Sequence, residues 1–309
     1  MEPDLTTRLA GMTLANPLVL LSGCVGFGEE LARIEGFDFS SVGAICLKGT
    51  TLHPRQGNPT PRIAETPCGM LNAIGLQNPG ARHVAETILP RLRHLPTRFI
   101  ANIAGSTVDE YAQVARIFND TDIAAMEINI SCPNVKEGGV AFGADPVMAA
   151  RVTEAVRKAT DKPIITKLSP NVTDIRVIAR AVIDAGSDAL SAVNTYMGMA
   201  VAWQTGRPLL GNVQGGLSGP AIKPAALLQV WRVHEVAAPR GIPIIGQGGI
   251  ANTRDALEFM LVGATAVGLG TALFANPLLS GEIVSGLREY LAAHPERTLS
   301  QLTGSLATP

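Results

Sequence analysis

Lys48, Asn102, Asn129, Lys167 and Asn194 each stand at the end of a short apolar run of the kind that forms a buried strand. The eight such runs are Leu18–Ser22, Val42–Lys48, Phe99–Asn102, Ala125–Asn129, Ile164–Lys167, Ala189–Asn194, Ile244–Gly248 and Ala266–Gly270. Parallel strands covered on both faces read as continuous Val/Ile/Leu. Amides and ammonium groups at their ends therefore cost stability unless something polar meets them. The expected partner is a polar ligand. Asparagine offers a donor and an acceptor, and lysine offers three donors and a charge. Together they suit a flat ring rich in nitrogen and oxygen. Alternation along the runs puts Glu127 and Asn129 on one side, Lys167 with Ile165, and Lys48 with Cys46. Glu127 is expected to be the structural partner of a buried cation.

Two glycine-rich strand ends add a second chemistry. One reads Gly246-Gln247-Gly248-Gly249-Ile250, with a helix opening near Asn252, and the other reads Gly268-Leu269-Gly270-Thr271. Glycine lets backbone N–H groups approach an anion closely, and a helix start adds a favourable dipole. Neither run satisfies GxGxxG, and GxxxxGK[ST] does not occur, so a dinucleotide is not expected here. The phosphate would belong to a mononucleotide-type cofactor or to a phosphorylated substrate. A lysine beside the ring of a reduced flavin would stabilise its negative charge. Cys132 lies in Asn129-Ile130-Ser131-Cys132-Pro133-Asn134, with Gly138 and Gly139 following, so its thiol reads as a proton acceptor on a loop. Cys24, Cys46 and Cys68 read as buried, inert thiols. His53, His83, His94, His234 and His294 fall away from the strand ends and read as surface or interface residues, and no triad arises from them.

These groups need a frame that gathers strand ends. Strands are expected at 17–22, 42–48, 98–103, 124–130, 163–168, 189–194, 243–247 and 266–270. Helices are expected at 79–94, 107–119, 145–160, 173–186, 221–237, 252–263 and 276–292. The alternation specifies an α/β fold, a (β/α)8 TIM barrel whose chemistry sits at the C-terminal ends of the strands. Residues 5–14 read as a β-hairpin around Gly11 lying under the barrel. The short link 23–41 leaves room for only a brief helix. Two long insertions, 49–78 and 195–219, follow strands and so lie on the active face. The 309 residues are expected to form one domain, 1–309. Charge is balanced, 25 Lys and Arg against 26 Asp and Glu, which gives nucleic acid no basic field. No apolar run is long enough for a membrane span, and the opening residues carry no signal pattern. Four scattered cysteines without CxxC argue against a metal site and for a reducing cytoplasm.

The chain resembles the dihydroorotate dehydrogenases, flavin enzymes of pyrimidine synthesis. The resemblance rests on Lys48-Gly49-Thr50, Asn72 through Gly80, Asn102-Ile103-Ala104-Gly105, Asn129 through Lys136, Thr166 through Pro170, Val193-Asn194-Thr195, Gly215 through Pro220, Gly248-Gly249-Ile250 and Gly270-Thr271. It implies FMN contacts from Ser22, Lys48, Gly49, Asn102, Asn129 and Lys167. Val193, Gly219, Gly248, Gly249, Gly270 and Thr271 would complete that set. It implies substrate contacts from Lys48, Asn72, Ala73, Ile74, Gly75, Leu76, Asn129, Asn194 and Thr195, with dihydroorotate or orotate stacked on the flavin. Cys132 would be the catalytic base, which is similar to class 1, whereas class 2 is membrane-attached and uses serine. The continuation Val135-Lys136-Glu137-Gly138-Gly139 resembles class 1B. That class implies a homodimer core bound to an electron-transfer subunit with FAD and [2Fe–2S], a heterotetramer that delivers electrons to NAD. Ala202 departs from an acidic residue common in relatives. The alternatives are a fumarate-linked class 1A enzyme, another FMN-dependent pyrimidine reductase, a flavin-free barrel, or a non-catalytic docking subunit.

Overall fold

The computed structural model describes residues 2–130 and 142–308. Eight parallel strands close into a barrel: Leu18–Leu20, Ala44–Cys46, Arg98–Ile103, Ala125–Asn129, Ile164–Lys167, Ala189–Ala192, Ile244–Gln247 and Ala266–Leu269. Each pairs with the next in sequence, and the last pairs with the first through Val267 opposite Leu18. Every expected strand is present. The apolar runs form strands because both faces are covered, outward by helices and inward by one another.

Alternation decides what fills the barrel. Val19, Ala44, Cys46, Ile100, Ala125, Ile165, Ala189, Ile245 and Ala266 pack together as an inner core. The N-terminal hairpin, Thr7–Leu9 paired with Met12–Leu14, plugs the bottom. Its Leu9 and Leu14 are fully buried against that inner core. The inner residues two positions further along the strands are polar: Asn102, Glu127, Lys167, Ser191 and Gln247.

The main outer helices are Val108–Asn119, Pro146–Arg157, Ile175–Asp184, Lys223–Ala237, Thr253–Leu261 and Leu279–Ala293. Four begin where a side-chain oxygen accepts a backbone N–H: Thr107, Asp145, Asp174 and Asn252. The link 23–41 holds only short turns of 3-10 helix, Glu29–Arg33 and Phe39–Ser41. The expected helix 79–94 is shorter and runs Ala81–Leu92 with a π-helical middle, Val84–Ile88. Gly80, at φ 89°, starts it late, and Pro90, lacking an N–H, lies just past the π-helical stretch.

The two insertions are not plain loops. They build a four-stranded antiparallel sheet in the order Tyr196–Met199, Gln214–Ser218, Gly69–Asn72, Ile63–Thr66. Register sets Gly216 opposite Asn72 and Leu217 opposite Tyr196. Its hairpin turn is Pro67-Cys68, with Cys68 at φ 61°. That turn leaves Cys68 exposed, which corrects its expected burial. Among the described residues no helix is long and apolar enough to cross a membrane.

Candidate active site

A cavity of about 250 Å³ opens at the C-terminal mouth of the barrel, between the strand ends and the antiparallel sheet. The sheet contributes Met70, Asn72, Gly215 and Gly216, and the strand ends contribute Lys48, Asn102, Asn129 and Lys167. A larger hollow of about 570 Å³ lies at the opposite end, beside Thr13, Gly43 and Phe99. Its Arg93 is already paired with Asp122 at 2.6 Å, and the glycine turns and strand-end amides are at the other mouth.

The ring of polar strand ends is real in space. Ser22, Lys48, Gly49, Asn102, Asn129, Lys167 and Val193 all line the mouth cavity. The two glycine turns meet there too, with Gly219, Gly248, Gly249, Gly270 and Thr271 in the wall. So do Asn72, Ala73, Ile74, Gly75, Leu76, Asn194 and Thr195. The charged lining side chains among the described residues are both lysines, Lys48 and Lys167. Cys132 lies outside the described residues.

Local geometry explains each part. Gly248 and Gly249 sit at φ 131° and 84°, where a side chain is strained. A Cβ on Gly249 would lie 2.8 Å from the Gly219 carbonyl oxygen. Thr271 Oγ1 donates to Ser218 Oγ at 2.8 Å and ties the eighth strand end to the sheet. Lys223 is not an anion ligand, because Asp255 and Glu258 hold it at 2.6 and 2.8 Å. Gly75 and Leu76, at φ 75° and 56°, turn the 73–76 backbone around the cavity, while the Ala73 N–H donates to the Arg62 carbonyl. Arg62 itself braces this insertion through Gln77 at 2.6 Å and the Gln56 carbonyl at 2.9 Å.

Beneath the lysines lies a buried carboxylate. Glu127 Oε2 accepts from Asn102 Nδ2 at 2.5 Å and from the Cys46 thiol at 3.2 Å, and Oε1 accepts from Ser191 Oγ at 2.6 Å. Lys167 Nζ is 3.9 Å from Oε2, so Glu127 is the partner of a buried cation, as its place in the sequence suggests. Burial, the Glu127 charge and its hydrogen bond push the Cys46 thiol well above its ordinary range, so it remains a donor. Cys24 is only partly buried and lines the cavity, yet desolvation pushes its thiol up to about 11 against the pull of Lys167 and Lys48. Ser191 and Gln247 escaped the sequence reading. Gln247 is fully buried, and its side-chain amide has no hydrogen-bond partner among the described residues. The available signal was a glutamine closing an Ile-Ile-Gly run, obscured by the glycines that follow it.

Four asparagines (Asn102 buried, Asn72, Asn129 and Asn194 partly so), two lysines and two glycine turns thus share one cavity at the barrel mouth, the usual place of ligand sites in such barrels. Comparison with known proteins gives the lineage. The family model described as dihydroorotate dehydrogenase matches residues 4–291. This chain belongs to the dihydroorotate dehydrogenase family. Similar curated relatives include proteins named dihydroorotate dehydrogenase B (NAD(+)), catalytic subunit. The one from Bacillus pumilus (strain SAFR-032) is 52% identical over 301 residues, covering 97% of this chain and 96% of the relative. The one from Desulforamulus reducens is 50% identical over 306 residues and covers 99% of both chains. A third, from Bacteroides thetaiotaomicron, is 47% identical over 304 residues. The dihydroorotate dehydrogenase family is flavin-dependent, and in this member the barrel-mouth cavity is lined by lysines, asparagines and glycine turns.

Proposed function

We propose that this chain oxidises dihydroorotate to orotate in pyrimidine synthesis, with FMN held across the barrel mouth. The observation that carries the reading is the convergence of two lysines, the strand-end amides and two glycine turns on one cavity in a member of this family. Asn102 supports the fit: the residue lines the cavity, and its buried Oδ1 has no hydrogen-bond partner among the described residues. Gly219, Gly248, Gly249, Gly270 and Thr271 would hold the phosphate through backbone N–H groups and a hydroxyl. Ser22, Lys48, Gly49, Asn102, Asn129, Lys167 and Val193 would hold the ring. Bound FMN supplies the acceptor for the hydride that leaves C6 of the substrate.

The chain's residues do the remaining work. Asn72, Asn129, Asn194 and Thr195 would fix the pyrimidine edge, and the Ala73–Leu76 turn would face its carboxylate. Lys167 would stabilise negative charge at the ring edge. Cys132 would take the proton from C5. Electrons would pass to NAD through a separate subunit carrying FAD and [2Fe–2S], bound to a homodimer of this chain. The relatives' designation as a catalytic subunit linked to NAD(+) supports that route over a fumarate-linked one. Among the described residues Cys24, Cys46 and Cys68 are free thiols, which supports a reducing, cytoplasmic setting. We read residues 1–309 as one FMN-binding unit.

Cys132→Ala should keep the yellow flavin spectrum and lose turnover by roughly 100-fold or more, the scale of general-base catalysis. Cys132→Ser should be slower than wild type and gain with rising pH. Dihydroorotate-dependent dye reduction measures both. Undiminished turnover by the alanine variant near neutral pH would remove the thiol from the mechanism.

A further inference from the structure

We propose that Glu127 is a positioning residue for the cavity: it fixes which face of the Asn102 amide the cavity meets. This rests on the reading that the cavity binds FMN. Register places Asn102 directly opposite Glu127 on adjacent strands, and both side chains are buried in the barrel interior. A carboxylate only accepts hydrogen bonds, so it selects the donor end of a neighbouring amide. The 2.5 Å contact from Asn102 Nδ2 to Glu127 Oε2 therefore turns Oδ1 the other way. There it faces Gly49, where a Cβ would lie only 2.7 Å from it. Gly49 and Asn102 both line the cavity. The result is a buried acceptor with no hydrogen-bond partner among the described residues, suited to a ring N–H rather than to a ring carbonyl.

The carboxylate itself is locked. Ser191 holds Oε1, Cys46 shares Oε2, and Lys167 stands 3.9 Å from it. Glu127 is absent from the cavity wall, so it acts through Asn102 and Lys167 rather than on a ligand. Neutral amide in its place would donate as well as accept. Asn102 could then turn, presenting a donor where the ring also donates.

The test is a donor–acceptor swap read by FMN binding to the apoprotein and by the absorption spectrum of bound flavin. Glu127→Gln should weaken FMN binding by roughly 10- to 100-fold, the value of a hydrogen bond to a charged or fixed group. Asn102→Asp alone, which sets two carboxylates face to face, should weaken it as well. The double variant Glu127→Gln/Asn102→Asp restores a donor facing an acceptor and leaves an oxygen toward the cavity. It should recover binding to within a few-fold of wild type, roughly the residual expected of a neutral for charged exchange. Equal affinity in Glu127→Gln and wild type overturns the proposal. So does a folded double variant that binds no better than the single ones. If Glu127→Gln alone fails to fold, the double variant decides: a folded, FMN-binding protein supports the proposal, and loss of fold in both overturns it. Wild-type apoprotein that takes up no FMN fails the functional reading instead, which separates the two.

Discussion

Thiols show how environment, not residue type, sets reactivity. Cys46 is buried as expected, whereas Cys24, also expected to be buried, is only partly so and lines the cavity. Cys46 is buried under the Glu127 cluster, whereas Cys24 lines the cavity and is quenched by desolvation that pushes it to about 11. A raised thiol pKa leaves less thiolate at neutral pH, and only thiolate is alkylated. Cys68 is exposed while Cys24 and Cys46 are partly and fully buried with raised thiol pKa values, so iodoacetamide near pH 7.5 should label Cys68 well before either, as peptide mass spectrometry would show. Faster labelling of Cys24 would contradict its environment. The strand-end lysines and asparagines could be placed at the barrel mouth from sequence because polar groups closing apolar runs need polar partners; for Asn102 and Lys167 part of that partnership is the buried Glu127. Glu127 was only half legible: its inward side followed from alternation, but its partners Ser191 and Cys46 come from strands far away in sequence.

Among the elements, the eight strands were readable because burial on both faces leaves a continuous apolar signature. The four-stranded sheet over the mouth was not. Its strands are short and rich in glycine, Gly69, Gly198, Gly215 and Gly216 among them, and they carry no clean two-residue alternation. Close packing explains the glycines: a Cβ at Gly215 would lie 2.5 Å from the Asn72 carbonyl oxygen. The turn after the seventh strand makes a sharper demand. Gly249→Ala would place a Cβ at φ 84°, 2.8 Å from the Gly219 carbonyl. Strain of about 1–3 kcal/mol would push the Gly248-Gly249 turn away from the Gly219 end of the insertion. FMN affinity should fall by about tenfold or more, while the strain lowers the apoprotein's melting temperature by only about 2–5 °C. Unchanged affinity in an isothermal titration would mean that the turn does not hold the phosphate.

On the scale of the whole molecule, the barrel is closed at one end by the N-terminal hairpin and clasped on its side by the C-terminal segment. His234, expected at the surface or an interface, is half-buried there against the C-terminal segment. Its ring lies where side chains on Gly263 and Gly304 would collide with it, at 2.2 and 2.3 Å. Desolvation lowers its pKa below the ordinary histidine value of 6.5. The unfolded chain then binds the proton more readily, so stability should fall as pH drops below about 6.5. His234→Gln should flatten that part of the profile in urea titrations, and an unaltered slope would show that the ring's burial is not what the acid side senses. Packing of this kind is invisible in sequence, because nothing local links residue 234 to residue 304. The mouth and the chemistry assigned to it meet in a single experiment. The FMN-loaded chain, kept free of oxygen and mixed with dihydroorotate, should lose its yellow flavin absorbance while orotate forms in equal amount. Flavin that stays oxidised beside excess dihydroorotate, with no orotate produced, would contradict the account.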